Sequence, residues 1–126
     1  MKKIIKTSKA PLPIGPYNQA VVINNLVYTA GQISLDVKTN DVIKGGIAPQ
    51  TRLVLTHLKT ILEEAGSSLE KIVKATVFLK NMADFPEMNK VYSEFIDAKT
   101  APARSTVEVA RLPKDVLVEI EVVAEI

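Results

Sequence analysis

Three polar residues near the C-terminus have the types and the spacing of a site for a carboxylate-bearing molecule. Arg104 and Thr106 fall in the segment 103–110 and Glu119 in the segment 116–125, and the β-branched residues of both segments predict β-strands. An arginine offers a rigid two-donor fork to a carboxylate, and a nearby glutamate can accept a proton from water. If the three side chains meet, they could hold an anionic molecule beside an activated water.

The alternation of side chains along a strand predicts which of these residues share a face. Apolar residues occur at alternate positions of both segments: Val107 and Val109 in the first, and Val116, Val118, Ile120 and Val122 in the second. We expect the two segments to form a hairpin across a turn at 111–114, with both apolar sets on the side that helices cover. Arg104, Thr106 and Glu119 then share the opposite face, and Thr106 lies directly across from Glu119.

The residues alone leave two interpretations of this cluster open. It could be a ladder of ion pairs that sets the strand register, or meets another subunit, without doing chemistry. It could instead be an anion site in which Arg104 binds a carboxylate and Glu119 accepts a proton. Partial burial against another subunit would favour the anion site.

The composition indicates one folded domain. A chain of 126 residues can bury one core but not two, so we expect a single domain over 1–126. Hydrophobic residues make up 47% and charged residues 24% of the chain, which is typical of a globular protein rather than a disordered one. The net charge of +2 comes from 16 basic and 14 acidic residues that are interspersed along the chain. This arrangement argues against the clustered basic face of a nucleic-acid-binding protein.

Several kinds of site are excluded by missing residues. The chain has no cysteine, so disulfides, thiolate nucleophiles and Cys-ligated metals are excluded. There is no Gly-rich phosphate loop, and His57 is the only histidine, so neither a Ser-His-Asp triad nor a multi-histidine metal site is expected. His57 lies off the apolar stripe of a predicted helix, and we expect it at the surface or its boundary. No apolar stretch has the length of a signal-peptide core or a membrane span, so we expect a cytoplasmic protein without a membrane partner.

Apolar periodicity and turn residues predict the elements of the first half of the chain. Segments 20–24 and 26–30 are predicted strands, and Asn24-Asn25 between them can adopt the left-handed conformations of a hairpin turn. The polar stretch 36–46 predicts a long mobile loop or a minor hairpin. Helical spacing of apolar residues over 47–65, with a proline near the start and a glycine just past the end, predicts an amphipathic helix.

The second half adds a strand and a helix before the two strands already described. Segment 72–80 is predicted as a strand buried on at least one face. A second helix is predicted after Asp84 as N-cap, with Glu87 completing a capping-box variant, and it should end before Pro102. With the N-terminal Ile4-Ile5 segment as the first strand, the order is β-β-β-α-β-α-β-β. This order is typical of an α+β fold in which two helices cover one face of a mixed sheet and leave the other face bare.

Long stretches of the sequence match known motifs in the right order along nearly the whole chain. They are Ile14-Gly15-Pro16-Tyr17-Asn18-Gln19-Ala20, Ala30-Gly31-Gln32-Ile33, Val73-Lys74-Ala75-Thr76-Val77-Phe78, Met82-Ala83-Asp84-Phe85, Asn89, Tyr92, the run from Pro102 to Asp115, and Val118-Glu119-Ile120-Glu121. On these stretches the chain resembles the Rid family, the reactive intermediate deaminases also called the YjgF or L-PSP family.

The resemblance implies an assembly and roles for six residues. It implies a chorismate-mutase-like homotrimer in which the sheets line a central barrel, the helices lie outside, and a cleft forms between each pair of neighbouring subunits. Arg104 would bind the substrate carboxylate, and Glu119, kept ionised by the nearby Arg104, would position or activate water. The residues that would help to form the pocket are Tyr17, Gly31, Asn89 and Thr106.

The activity implied by the resemblance is cofactor-independent hydrolysis of reactive enamine and imine intermediates to 2-keto acids and ammonia. With 2-aminoacrylate and 2-iminobutanoate as substrates this is a 2-iminobutanoate/2-iminopropanoate deaminase, which needs no metal. An alternative is a non-catalytic module that binds 2-keto acids or similar metabolites. A ribonuclease or translation-inhibitor role is also attached to the family, but the chain lacks paired histidines and a basic patch interleaved with aromatic residues.

Two residues depart from the deaminase branch of that family. Ala30 stands where serine is usual, which removes a hydroxyl and favours the non-catalytic alternative. Thr106 stands where cysteine is usual, and because it keeps its backbone N–H as a donor, we expect this change to be mild.

Overall fold

The structure, a computed structural model, describes residues 1–126. Six strands and two helices follow one another in the order β1-β2-β3-α1-β4-α2-β5-β6, as the sequence predicts. The strands are β1 Lys3–Ile5, β2 Ala20–Ile23, β3 Leu26–Thr29, β4 Ile72–Leu79, β5 Ala103–Glu108 and β6 Val118–Glu125, and the helices are α1 Ile47–Glu64 and α2 Phe85–Phe95. Neither helix is long and apolar enough to cross a membrane.

All six strands belong to one mixed sheet with the spatial order β1-β2-β3-β6-β4-β5. β4 and β5 are parallel, and every other neighbouring pair is antiparallel. β2 and β3 form the predicted hairpin, and Asn24 and Asn25 in its turn have φ angles of 49° and 62°. Two consecutive positive φ angles give the turn whose twist matches that of the strands, and Asn adopts them at low cost.

Both helices lie on the same face of the sheet, and the core forms between them and the strands. The buried apolar side of α1 consists of Val54, Leu55, Leu58, Ile61 and Leu62. The sheet residues in the same core cluster are the alternate residues of the two central strands, Ala75, Val77 and Leu79 of β4 and Val118, Ile120 and Val122 of β6. The predicted α+β arrangement, with two helices on one face, is confirmed.

The opposite face of the sheet carries no helix, as predicted. Four large apolar side chains of this bare face, Ile4, Ile23, Tyr28 and Val107, are between 38% and 45% exposed. Exposed apolar residues collected on one face commonly mark a contact with another molecule.

The start of α2 differs in detail from the prediction. The Asp84 side chain makes no hydrogen bond to the first turn of the helix, so the predicted capping box with Glu87 is wrong. Asp84 is the last residue of a 3₁₀ turn over 82–84 and already has helical φ and ψ angles of −81° and −4°, whereas a capping side chain needs extended backbone. The Asn81 side chain opens that turn by accepting a hydrogen bond from the Ala83 backbone N–H at 2.9 Å.

The polar stretch between β3 and α1 forms the minor hairpin that the sequence left as one of two alternatives. Leu35 and Val42 pair as an antiparallel bridge. His57 of α1 anchors this hairpin, because its Nε2 lies 2.7 Å from the Leu35 carbonyl oxygen. His57 is only 2% exposed, so the prediction of a surface or boundary position is wrong. The hairpin extends the buried region beyond the apolar stripe of α1 and gives the imidazole a polar partner.

The predicted hairpin between the last two strands does not form. β5 pairs in parallel with β4, and β6 lies on the other side of β4, so the last two strands are not neighbours. The connection crosses the end of β4, where the Val109 N–H donates to the Leu79 carbonyl at 3.0 Å and the Lys80 N–H donates to the Leu117 carbonyl at 3.0 Å. β6 has a longer run of alternating apolar residues than β5. It occupies a central position, paired with β3 on one side and with β4 on the other.

This pairing also changes which residues share a face. Arg104 pairs with Ala75 and Thr106 with Val77, both buried, so these two residues point to the helix side of the sheet. Glu119 pairs with Phe78 and points to the bare face. The prediction that Arg104, Thr106 and Glu119 share one face is therefore wrong. It assumed that the β5 valines are buried, but β5 is an edge strand that α2 covers only in part.

Candidate functional site

Arg104 lies in an open groove on the helix side of the sheet. Its guanidinium carbon Cζ is 4.6 Å from the ring centre of Tyr92 and 5.5 Å from that of Phe85, both on α2. The groove has a volume of about 780 Å³, and its lining includes Arg104, Tyr92 and Asn89. Arg104 belongs to neither of the two ion pairs of the chain, so its charge is available to an anion that enters the groove.

Two of the predicted pocket residues accompany Arg104. Asn89 lies on α2 three residues before Tyr92, which places both on the same side of the helix and in the lining of the groove. Thr106 follows Arg104 by two residues on β5 and points to the same side of the sheet. Its hydroxyl oxygen is buried without a hydrogen-bond partner. The first candidate half-site therefore contains Arg104 and Asn89 in the groove, Thr106 beside Arg104 on β5, and the two aromatic rings next to the guanidinium.

Glu119 lies in a second concavity, on the bare face, together with the other two predicted residues. This pocket has a volume of about 130 Å³, and its lining includes Glu119, Gly31 and Tyr17. Burial and, secondarily, the negative charge of Glu121 raise the pKa of the Glu119 carboxyl. Within one chain no arginine offsets these effects, so the expectation that a nearby Arg104 keeps Glu119 ionised does not hold in the single chain.

Gly31 allows the close approach of the Glu119 carboxylate to the backbone. Gln32, the residue after Gly31, pairs with Ile120 of β6. The Gln32 N–H donates to the Ile120 carbonyl at 2.9 Å, and the Ile120 N–H donates to the Gln32 carbonyl at 3.2 Å. A Cβ atom at Gly31 would lie 2.5 Å from Glu119 Oε2 and 2.8 Å from Cδ. No real side chain tolerates such distances, so the observed position of Glu119 requires glycine here.

Tyr17 lies in the segment 7–19, which the buried Gln19 side chain holds in place. The Gln19 side chain accepts a hydrogen bond from the Thr7 N–H at 2.7 Å and donates to the carbonyls of Thr7, Ala10 and Pro11 at 2.8–3.3 Å. The Gln19 backbone carbonyl also accepts a hydrogen bond from the Ala30 N–H at 2.8 Å, which joins this segment to the backbone next to Gly31. Sequence reasoning missed Gln19, although a polar side chain directly before the apolar strand β2 is a usable signal.

Tyr92 and Phe85 were also missed as site residues. Both belong to the apolar stripe of α2, and a helical stripe of this kind indicates core packing rather than a site. No group of three or more His, Asp or Glu side chains is close enough to hold a metal ion. The structure thus divides the six predicted residues between two separate half-sites, and neither half-site has both the arginine fork and the glutamate.

Comparison with known proteins identifies the family. Residues 7–126 match the family model described as "Endoribonuclease L-PSP". A RutC family protein of Pyrococcus abyssi is 53% identical over 123 residues, which are 98% of this chain and 96% of that protein. The chain belongs to this family, the L-PSP or Rid family that its motifs resemble.

Two further relatives have more specific descriptions. A protein of Dermatophagoides farinae named 2-iminobutanoate/2-iminopropanoate deaminase is 46% identical over 120 residues, covering 95% of this chain and 93% of that protein. The crystal structure of E. coli TdcF with bound serine has a TM-score of 0.92 and 44% identity, and the match covers 98% of each chain.

Proposed function

We propose that this protein is a cofactor-independent 2-iminobutanoate/2-iminopropanoate deaminase that works in clefts between the subunits of a homotrimer. The observation that carries the proposal is that Arg104 and Glu119 open on opposite faces of one sheet, in two half-sites that are each incomplete. A cyclic trimer can bring the Arg104 half-site of one subunit against the Glu119 half-site of the next three times over, and the bare sheet face with its exposed apolar residues supplies the contact surface.

Arg104 binds the carboxylate that every 2-imino acid carries next to its imine carbon. The planar guanidinium donates two parallel hydrogen bonds to a carboxylate, which fixes both the position and the orientation of the substrate. Holding the electrophilic carbon in one place relative to a bound water supplies the rate increase expected from orientation alone. Asn89 lines the same groove, and Thr106 adjoins Arg104 on β5.

Glu119 of the neighbouring subunit positions the attacking water and accepts its proton. Addition of water to the C=N bond gives a carbinolamine. The nitrogen then takes up a proton, the hydroxyl gives up its proton as the C=O bond forms, and the C–N bond breaks to release ammonia and a 2-keto acid. Burial raises the pKa of Glu119 in the single chain, and a guanidinium brought close by assembly would lower it again. The assembled cleft therefore favours the carboxylate form that the reaction needs.

The descriptions of the relatives support the substrate class. The Dermatophagoides farinae protein is named for the two imino acids proposed as substrates. The structure of TdcF holds serine, a small molecule with a carboxylate and an amino group on neighbouring carbons. A three- or four-carbon 2-imino acid has the same carboxylate and a nitrogen at the same position.

Complementation between two inactive variants tests the proposal. Arg104→Ala and Glu119→Gln are each expected to abolish the acceleration of 2-iminobutanoate hydrolysis, because truncating a desolvated charged contact costs about 2–5 kcal/mol. Co-expressed one to one, the variants form mixed trimers in which about one cleft in four takes Arg104 from one subunit and Glu119 from its neighbour. Activity of the mixture should recover to roughly a quarter of the wild-type value.

The outcomes separate the alternatives. An inactive mixture of the two variants, with mixed trimers verified by mass spectrometry, would place both residues in one chain and contradict the shared cleft. A wild-type protein that binds 2-oxobutanoate but does not accelerate imine loss would instead be the non-catalytic binding module. Full activity of Arg104→Ala would show that the arginine belongs to a structural ladder.

A further inference from the structure

We infer that Tyr92, assisted by Phe85, is a positioning residue for Arg104. The two rings of α2 hold the guanidinium in the place from which it can bind a substrate carboxylate. The inference rests on the proposed function for the identity of the ligand, and on the geometry of the groove for the placement of Arg104.

The distances support a cation–π contact of Arg104 with both rings, referred to as stacking. A cation within about 6 Å of an aromatic ring centre is attracted by the negative face of the ring, and both rings satisfy this limit for Arg104. Tyr92 is the nearer ring and is only 7% exposed, so the helix packing fixes it in one position. No carboxylate of the chain pairs with Arg104, which leaves the rings as its main orienting contact.

Stacking solves a problem that an arginine on an edge strand presents. A free arginine side chain samples many rotamers, and ordering it during binding weakens affinity by roughly threefold to more than tenfold. A ring against one face of the guanidinium limits that freedom beforehand. The N–H donors at the edge of the planar group stay available for a bidentate contact.

The Tyr92 hydroxyl allows the role of the ring to be separated from that of the polar group. This oxygen is buried, and the one polar group that acts on it is the Arg104 guanidinium, which is not placed for a well-formed hydrogen bond. Burial raises the pKa of the Tyr92 phenol, which therefore stays neutral and adds no charge beside Arg104. If the ring is what matters, phenylalanine should replace tyrosine without loss.

Steady-state kinetics with 2-iminobutanoate, and 2-oxobutanoate affinity by calorimetry, test this with three variants. Tyr92→Leu should raise KM and the Kd of 2-oxobutanoate by roughly 3- to 30-fold and leave kcat within about twofold, because the carboxylate contact exists before and during the reaction. Tyr92→Phe should stay within about twofold of wild type in all three constants. Leu69→Ala, at a partly buried side chain that packs against the same core but lies outside the groove, should leave KM unchanged.

Phe85→Leu, at a less buried ring, is a second test if Tyr92→Leu fails to fold, and it should raise KM in the same direction. An unchanged KM in the folded Leu variants would overturn the inference. So would a loss in Tyr92→Phe equal to that in Tyr92→Leu, which would assign the role to the hydroxyl.

A substrate-independent measurement distinguishes failure of this inference from failure of the proposed function. Ring currents shift the ¹H–¹⁵N signal of Arg104 Nε, assigned by its disappearance in Arg104→Lys. The signal should move in Tyr92→Leu and keep its position in Tyr92→Phe. A signal that does not move in Tyr92→Leu would overturn the stacking. A wild-type protein with the shifted signal but without hydrolysis or 2-oxobutanoate binding would retain the stacking and refute the proposed function.

Discussion

At the scale of single residues, Glu119 lies so close to the Gly31 backbone that a side chain at position 31 would have no room. The glutamate side chain occupies the space where any other residue at position 31 would have its Cβ atom. Gly31 has no positive φ angle, so alanine would be acceptable to the backbone itself. A substitution there therefore acts through Glu119 and not through backbone strain.

We expect Gly31→Ala to lower kcat for imine hydrolysis by about 100-fold, since a misplacement of the order of 1 Å costs that much in an oriented reaction. KM should change little, because the carboxylate contact at Arg104 belongs to the other half-site. Stopped-flow assays of 2-iminobutanoate loss would measure both constants, with the thermal midpoint as a control for folding. An unchanged kcat would show that the position of Glu119 is not critical.

At the scale of elements, the minor hairpin between β3 and α1 is anchored by a buried histidine. Its Leu35 carbonyl accepts a hydrogen bond from His57 Nε2 in the neutral tautomer that carries the proton there. Desolvation is the main influence on this imidazole and lowers its pKa below the ordinary value, although the Leu35 contact and Asp36 act in the opposite direction. The folded protein therefore binds a proton at His57 less readily than the unfolded chain does.

This difference predicts a pH dependence of stability. Between the ordinary histidine pKa of about 6.5 and the lowered folded value, the unfolded chain binds more protons, so the free energy of unfolding falls as the pH decreases. The loss should be at most about 1.4 kcal/mol per pH unit and should begin as the pH drops from 8 towards 6. His57→Gln, which can still donate to Leu35 but does not titrate, should remove this slope in urea titrations at fixed protein concentration. The same slope in the variant would assign it to other groups.

At the scale of the whole molecule, the bare sheet face offers the contact surface for the proposed trimer. Tyr28 lies near the middle of an apolar row, paired with Val21 on one side and Val123 on the other. Its ring is 42% exposed in the single chain. A trimer whose sheets line a central barrel would cover this row and also bring the two half-sites together.

Sedimentation equilibrium at micromolar concentration should therefore show a trimer. Tyr28→Glu would bury a charge in the proposed interface and should yield monomers without imine hydrolysis, although the residue touches neither half-site. Val37→Glu is the matched control, because Val37 has a similar exposure of 40% but lies in a loop outside the sheet, and it should remain a trimer. A wild-type monomer would contradict both the assembly and the shared cleft.

The sequence by itself determined the elements and most of their bounds. Asn24-Asn25 defined the first hairpin, the apolar stripe of α1 defined its buried face, and the element order gave the two-layer architecture. These features depend on local backbone preferences and on periodicity, both of which are present in any short window of the chain. Motif resemblance further selected the six candidate site residues, all of which line the two concavities or adjoin them.

Only the tertiary structure decided which strands are neighbours and therefore which candidates meet. Alternation along β5 assigned Arg104 and Thr106 to one common face, but it could not determine which face, because either a hairpin with β6 or a parallel pairing with β4 satisfies the same period. The choice depends on how the whole sheet buries its apolar area, since β6 gains more from a central position than β5. The burial of His57 and the stacking of Arg104 on Tyr92 were likewise decided by contacts between segments distant in sequence.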